Sequence, residues 1–198
     1  MAKEKKFVIL DKEYNDELYM KEALIEAEKA LKYNDVPIGA VIVCNGNIIG
    51  RGYNKVEKKQ NSTAHAEMIA IKNALKSIDY KHLNECSLYV TLEPCPMCAG
   101  AIVLSRLKRL VFGAKDPKSG ASGTIYSITD DSRLNHRCVV VDGVMEKECS
   151  DILKQFFIQL RKTKSIGKVS PVAKTKSVAK TKPLGKTKPA TKTKVTKK

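Results

Sequence analysis

Leu88-Tyr89-Val90-Thr91-Leu92-Glu93-Pro94-Cys95-Pro96-Met97-Cys98-Ala99-Gly100 reads as a strand that runs directly into a helix. Leu88, Val90 and Leu92 alternate as on a strand, and Pro96 is a first-turn residue of a helix. Cys95 and Cys98, three positions apart, can face one metal ion because residues i and i+3 share a side of a helical turn. The free N–H groups and partial positive charge of a helix start favour the thiolates that bind metal. Upstream, Thr63-Ala64-His65-Ala66-Glu67 offers His65 as a nitrogen donor. One imidazole and two thiolates form a soft N/S set that suits Zn²⁺.

Structural zinc sites are closed by four protein ligands, whereas catalytic ones keep a position for water. Here the motif offers three. Glu67 is not needed to hold the metal and can move protons for a metal-activated water. Residues two apart on a regular helix point nearly opposite ways, so His65 and Glu67 share a site only across an irregular first turn. Ser62 and Thr63 are candidate caps for it. The backbone N–H of Ala66, unpaired at such a helix start, is placed to help hold the attacking oxygen. The alternative is a purely structural site closed by Cys86 or His82, which leaves Glu67 without a task.

The 198 residues suit one domain with an appendage, and the charge divides them unevenly. The formal net charge is +16, yet the segment 161–198 holds one Arg and thirteen Lys with no acid, leaving +2 for residues 1–160. Such asymmetry points to a basic arm for a polyanion, nucleic acid ahead of membrane. Cys44, Cys86, Cys138 and Cys149 sit in apolar stretches and read as small buried hydrophobes in a reducing compartment. The apolar run 7–10 is too short for a signal-peptide core, and no later run has the length of a membrane span. A soluble cytoplasmic protein is expected.

Outward from the motif, Asn15-Asp16-Glu17 precedes a helical pattern through about Tyr33, with Leu24, Ala27 and Leu31 on one face. The apolar runs 38–43 and 48–53 flank Asn45-Gly46, a hairpin signal between antiparallel strands. A helix with Ala64, Met68, Ile71 and Leu75 on one face follows, carrying His65 and Glu67 at its start. After the motif helix come a strand at 109–112, a glycine-containing loop at 113–123, a strand at 138–141 and a helix at 146–161. Cys149, Ile152, Leu153, Phe156 and Leu160 share one side of that last helix. The pattern predicts an α/β fold, three layers around a five-stranded mixed sheet, in a domain over 1–162.

In 163–198 the sequence becomes low in complexity. Lys-Thr-Lys recurs at Lys162, Lys174, Lys180, Lys186 and Lys192 with almost no apolar residue to stack, so the tail is expected to be disordered and extended.

The order H-x-E then P-C-x-x-C matches the signature of zinc deaminases that act on extruded or single-stranded bases. Finer matches lie in Pro37-Ile38-Gly39-Ala40-Val41, Gly52-Tyr53-Asn54, Phe112-Gly113-Ala114-Lys115-Asp116, Gly120-Ala121-Ser122-Gly123, Asn135-His136-Arg137 and Phe156-Phe157. With these, the segment from about residue 11 to 162 resembles the bacterial tRNA-specific adenosine deaminases of the cytidine-deaminase-like superfamily. The resemblance implies hydrolytic conversion of adenosine to inosine at the wobble position of a tRNA anticodon loop. It also implies a zinc-activated water and a homodimer with one Zn²⁺ per subunit. His65, Cys95 and Cys98 would be the ligands and Glu67 the acid/base. Asn54 would bond the flipped nucleoside, though Asn also simply ends strands. Asp116 and His136 would touch RNA or be solvated loop residues. The tail has no counterpart in the family pattern. Two rivals stay open: a deaminase of a free base or nucleoside of guanine or cytosine type, and a non-catalytic zinc-containing RNA-binding protein.

Overall fold

Asn45 and Gly46 both take positive φ, 49° and 77°, the backbone that a two-residue hairpin turn needs. They join β1, Gly39–Cys44, to β2, Asn47–Tyr53, in antiparallel register with Cys44 opposite Asn47. The computed structural model describes residues 15–78 and 80–166. β1 also pairs antiparallel with β3, Cys86–Leu92. From β3 the chain crosses through α4, Pro96–Leu104, to the parallel strand β4, Arg109–Ala114, and β4 pairs parallel with β5, Val139–Val141. The sheet is therefore mixed and five-stranded, in the order β2-β1-β3-β4-β5.

Period-two alternation sends each strand's side chains to two separate cores. Ala40, Ile42, Leu88, Val90, Leu110 and Phe112 face one side, under α3, Ala66–Ala74, and α4. Val41, Val43, Tyr89 and Val111 face the other, where Met20 and Ala23 of α1, Asp16–Leu31, and Cys149 of α5, Glu146–Ile166, meet them. Burying a side chain such as Leu110 or Phe112 contributes about 1.5–3 kcal/mol each, so both faces add to the stability of one sheet. The result is the three-layer α/β architecture that the order of elements predicts.

Several helix faces differ from expectation. α1 buries Met20, Ala23, Ala27 and Ala30, while Leu31 is exposed. α3 buries Ala66, Glu67, Ala70, Ile71 and Ala74 rather than a stripe through Met68 and Leu75. The reason lies across from it on β2: a Cβ on Gly52 would stand 2.2 Å from the Ala66 carbonyl oxygen and 2.6 Å from the Ala70 nitrogen. Only glycine lets the helix backbone come so close, and the alanines complete the fit. Gly113 belongs to β4 rather than to the loop after it. α5 continues to Ile166, past the expected end at 161. The rest of the Lys-rich segment, 167–198, lies outside the described residues, as do residues 1–14. Among the described residues no helix is long and apolar enough to cross a membrane.

Candidate active site

His65 is the last extended residue before α3, with φ −71° and ψ 156°, and α3 begins at Ala66. This backbone solves the geometry of two functional residues two positions apart. His65 projects from a strand-like segment and Glu67 from the first helical turn, so both reach one place. Ser62 and Thr63 do not cap the helix: the Thr63 N–H and hydroxyl both donate to Asn61 Oδ1, at 2.9 and 2.8 Å. Cys95 plays the same part on the other wall, extended at φ −73° and ψ 171°, with Pro96 opening α4 behind it.

The two helix starts bring three soft donor atoms together. His65 Nδ1 lies 3.7 Å from Cys95 Sγ and 3.6 Å from Cys98 Sγ, and the three ligand atoms all fall within 4.8 Å of one another. No other His, Cys or carboxylate among the described residues joins the group. Cys86 begins β3, six strand residues before Leu92 and so about 20 Å from the site end of the strand, which removes it as a closing ligand. The three residues could hold a metal ion, and a soft N/S donor set of this kind suits Zn²⁺.

The electrostatics agree with the ligand chemistry. A hydrogen bond from the Cys98 thiol holds the Cys95 thiol down to about 4, against the opposing effect of burial, and His65 adds to the lowering. Cys98, giving that proton to the shared bond and more deeply buried, is pushed well up. His65 is raised, first by its hydrogen bond to Cys95 and also by the Glu67 charge. Cys95 is thus a thiolate at neutral pH, while Cys98 and His65 hold their protons until a cation displaces them. Burial pushes the Glu67 carboxyl up, toward the range in which a carboxyl can exchange protons near neutral pH. Glu67 is 4% exposed.

His65, Glu67 and Cys95 line a cavity of about 250 Å³, with Ile38, Asn54, Leu92 and Asp116 among its other walls. Asn54 is buried, yet its side-chain amide makes no hydrogen bond with another described residue, which leaves its donors and acceptor available to a ligand. Its backbone N–H donates to Ile38 O at 2.9 Å, which fixes it at the end of β2. Asp116 reaches the wall, but its carboxylate is partly committed to its own turn, accepting from the N–H of Lys118 and of Ser119 and from the Ser119 hydroxyl. His136 is not brought to this cavity. It bonds Leu107 O at 2.7 Å and lines a separate open cleft with Asp130, Leu134 and Arg137, because the chain after the 3₁₀ turn Ile128–Asp130 passes beside α4 instead of over the cavity.

Two further acids brace the wall, and neither is assigned a role from the sequence. Glu93, 2% exposed, accepts N–H bonds from Asp116 at 3.1 Å, Ser122 at 3.0 Å and Thr124 at 3.0 Å, and the Thr124 hydroxyl donates to it as well. It therefore ties the loop that carries Asp116 to the segment that carries Cys95. Asp35, fully buried, accepts the N–H groups of Glu57 at 2.7 Å and Lys58 at 3.0 Å, and so caps the short helix α2, Val56–Lys59. An acid set between an apolar strand and a proline, as in Leu92-Glu93-Pro94, is the available signal. Charge alone does not say that the group turns inward.

Residues 14–161 match the family described as MafB19-like deaminase. The chain is 54% identical to a tRNA-specific adenosine deaminase of Bacillus subtilis over 153 residues, covering 77% of this chain and 95% of that one. It is 49% identical to a tRNA-specific adenosine deaminase of Haemophilus influenzae, covering 77% and 89%. Among solved structures it is similar to one from work on A-to-I editing by tRNA:A34 deaminases at the wobble position of transfer RNA. That likeness has a TM-score of 0.66 and 40% identity, over 69% of this chain and 99% of the other. A guanine deaminase from Nitrosomonas europaea, 22% identical with a TM-score of 0.60 over 71% and 83%, shares the fold.

Proposed function

The chain belongs to the MafB19-like deaminase family, and from that premise we propose that it converts adenosine to inosine, hydrolytically, at the wobble position of a tRNA anticodon. The observation that carries the reading is the meeting of three metal-competent atoms and a buried carboxylate outside their set in one cavity beside an unpartnered amide.

His65, Cys95 and Cys98 would hold the metal, and their donor chemistry fits Zn²⁺, one per chain. When bound, Zn²⁺ lowers the pKa of a water and so supplies a nucleophile near neutral pH. Glu67 takes one proton from the water and gives it to the ring nitrogen, then takes the second from the hydroxyl now on C6 and gives it to the departing amino group. The oxygen bonds to C6 of adenine, the C6–N bond breaks, and ammonia leaves behind hypoxanthine. The Ala66 N–H, at the first helical position and without an intrahelical acceptor, donates to the attacking oxygen. Asn54 orients the base through its free amide. Asp116, in a turn braced on Glu93, lines the cavity where it would meet the RNA. The base must leave the stack to enter, which an anticodon loop permits more readily than a duplex.

A homodimer belongs to the same proposal, supported by Leu104, which stands 74% exposed on the metal-site helix. Light scattering that gives an active monomer at micromolar concentration would remove it. The function itself is tested by incubating purified chain with tRNA, free adenosine, free cytidine and guanine. Inosine formed in tRNA at the wobble position, with the free compounds turned over far more slowly, is the expected result. Turnover of a free base with none in tRNA would overturn it.

A further inference from the structure

Most surface lysines with a fixed partner in this structure are neutralised by acids. Lys29, Lys108, Lys115 and Lys147 each lie 2.7–2.9 Å from a carboxylate oxygen. Lys55 and Lys58 are held differently. The Lys58 ammonium sits 3.6 Å above the Tyr33 ring centroid and 3.3 Å from the Tyr53 hydroxyl, and the Lys55 ammonium sits 4.2 Å above the Tyr53 ring. Neither forms an ion pair with a described carboxylate, although Glu57 lies between them in sequence. Aromatic rings hold a cation in place without cancelling its charge.

Their backbone is fixed against the active site. The Lys55 N–H donates to Ala64 O at 2.9 Å, one residue before His65, and the Lys58 N–H is held by the buried Asp35. Asn54, Val56 and Glu57, which alternate with the two lysines, line the cavity. Lys32 is near enough to act on Tyr33 and adds a third positive charge.

We propose that Lys55 and Lys58, braced on Tyr33 and Tyr53, form a clamp at the cavity mouth for backbone phosphates of single-stranded RNA. The clamp rests on the deaminase reading above, since it takes the nucleotides beside the inserted base. Phosphate is the group that fits, because the tyrosine faces are covered by ammonium groups and offer little surface for a stacked base. Charge fixed in advance costs less to order on binding than a free lysine side chain does.

The test uses the full chain with the double variant Lys55→Gln/Lys58→Gln. Its control is Lys147→Gln/Lys154→Gln, which removes the same charge from α5. Inosine formation in tRNA and anisotropy binding of an anticodon stem-loop RNA are measured across a salt series, with zinc content and thermal unfolding recorded for each protein. Each single-strand phosphate that the protein no longer neutralises lowers the log-log salt slope by about 0.7, so the double variant should lose about 1.4. Carried to 0.15 M salt, that slope corresponds to a KM about tenfold higher, with kcat within about twofold. Lys55→Arg/Lys58→Arg should keep both slope and KM. A double variant whose slope and KM equal those of the α5 control overturns the clamp while leaving the deaminase reading intact. Should wild type form no inosine in tRNA, that reading falls, and the binding slopes still decide the clamp.

Discussion

A carboxylate oxygen of Glu93 stands 2.3 Å from the position that a Cβ on Gly120 would occupy. The loop over the cavity closes onto this carboxylate because Gly120 has no side chain. Through it the N–H of Asp116, Ser122 and Thr124 converge on one buried group.

Gly120→Ala must therefore displace either the Glu93 carboxylate, pinned by four donors, or the Asp116 carbonyl oxygen, which would lie 2.6 Å away. A loss of about 1–3 kcal/mol is expected, as for other overpacked sites, read as a lower urea midpoint at unchanged m. KM for tRNA should rise while metal content stays stoichiometric. An unchanged midpoint together with an unchanged KM would show that the loop gives way freely.

Glu67→Ala removes the proposed proton carrier but none of the three donor atoms. It should keep fold and metal and lose about 10²- to 10⁴-fold in kcat, or more, since one group serves several proton transfers. Activity within tenfold of wild type would sink the assignment.

Cys95→Ser or Cys98→Ser should each lose metal, measured by elemental analysis of the purified protein. Chelation of wild type should likewise lower its melting temperature, because metal that binds only the folded chain adds to its stability. Stoichiometric zinc in both serine variants would contradict the ligand set.

Asp16, in the first turn of α1, accepts from two nitrogens of Arg109 on β4 at 2.6 and 2.7 Å and from the Tyr89 hydroxyl at 3.0 Å. Burial raises its pKa, but the Arg109 and Tyr89 bonds outweigh burial and hold the carboxyl below its ordinary value of 3.8. A carboxyl depressed on folding contributes stability above its unfolded pKa and loses it as pH falls through the folded one. Asp16→Asn should cost about 1.5–3 kcal/mol at pH 7, and the gap to wild type should narrow as pH drops below about 4. Denaturant melts from pH 7 to pH 2 check this; a gap independent of pH would assign the loss to packing.

Truncation after Lys162 removes twelve of the thirteen lysines in 161–198. Zinc content and kcat should change little, whereas tRNA binding should weaken and its log-log salt slope flatten by about 0.7–0.9 for each phosphate that the tail had neutralised. Superimposable salt curves for the two proteins would mean that the tail touches no RNA.

Local chemistry made much of this protein legible in its sequence. Asn45-Gly46 marked a hairpin because few other pairs tolerate two positive φ angles in succession. Pro96 marked a helix start, and the Cys95/Cys98 spacing put both sulfurs on one turn. Those are effects within a few residues, and they specified the order of elements and the group that could hold a metal. Interactions between residues distant in sequence were left to the tertiary structure. The face that α3 buries depends on Gly52 of another strand. Glu93 and Asp35 turn inward because backbone N–H groups 22 to 31 residues away need acceptors in a dry wall, and a buried donor without one is costly. His136 looked equivalent to Asp116 in sequence, yet folding sends the two to different clefts. The kind of chemistry was written in residue types and short spacings, while the shape and bracing of the cavity around it were decided by which distant backbones could approach.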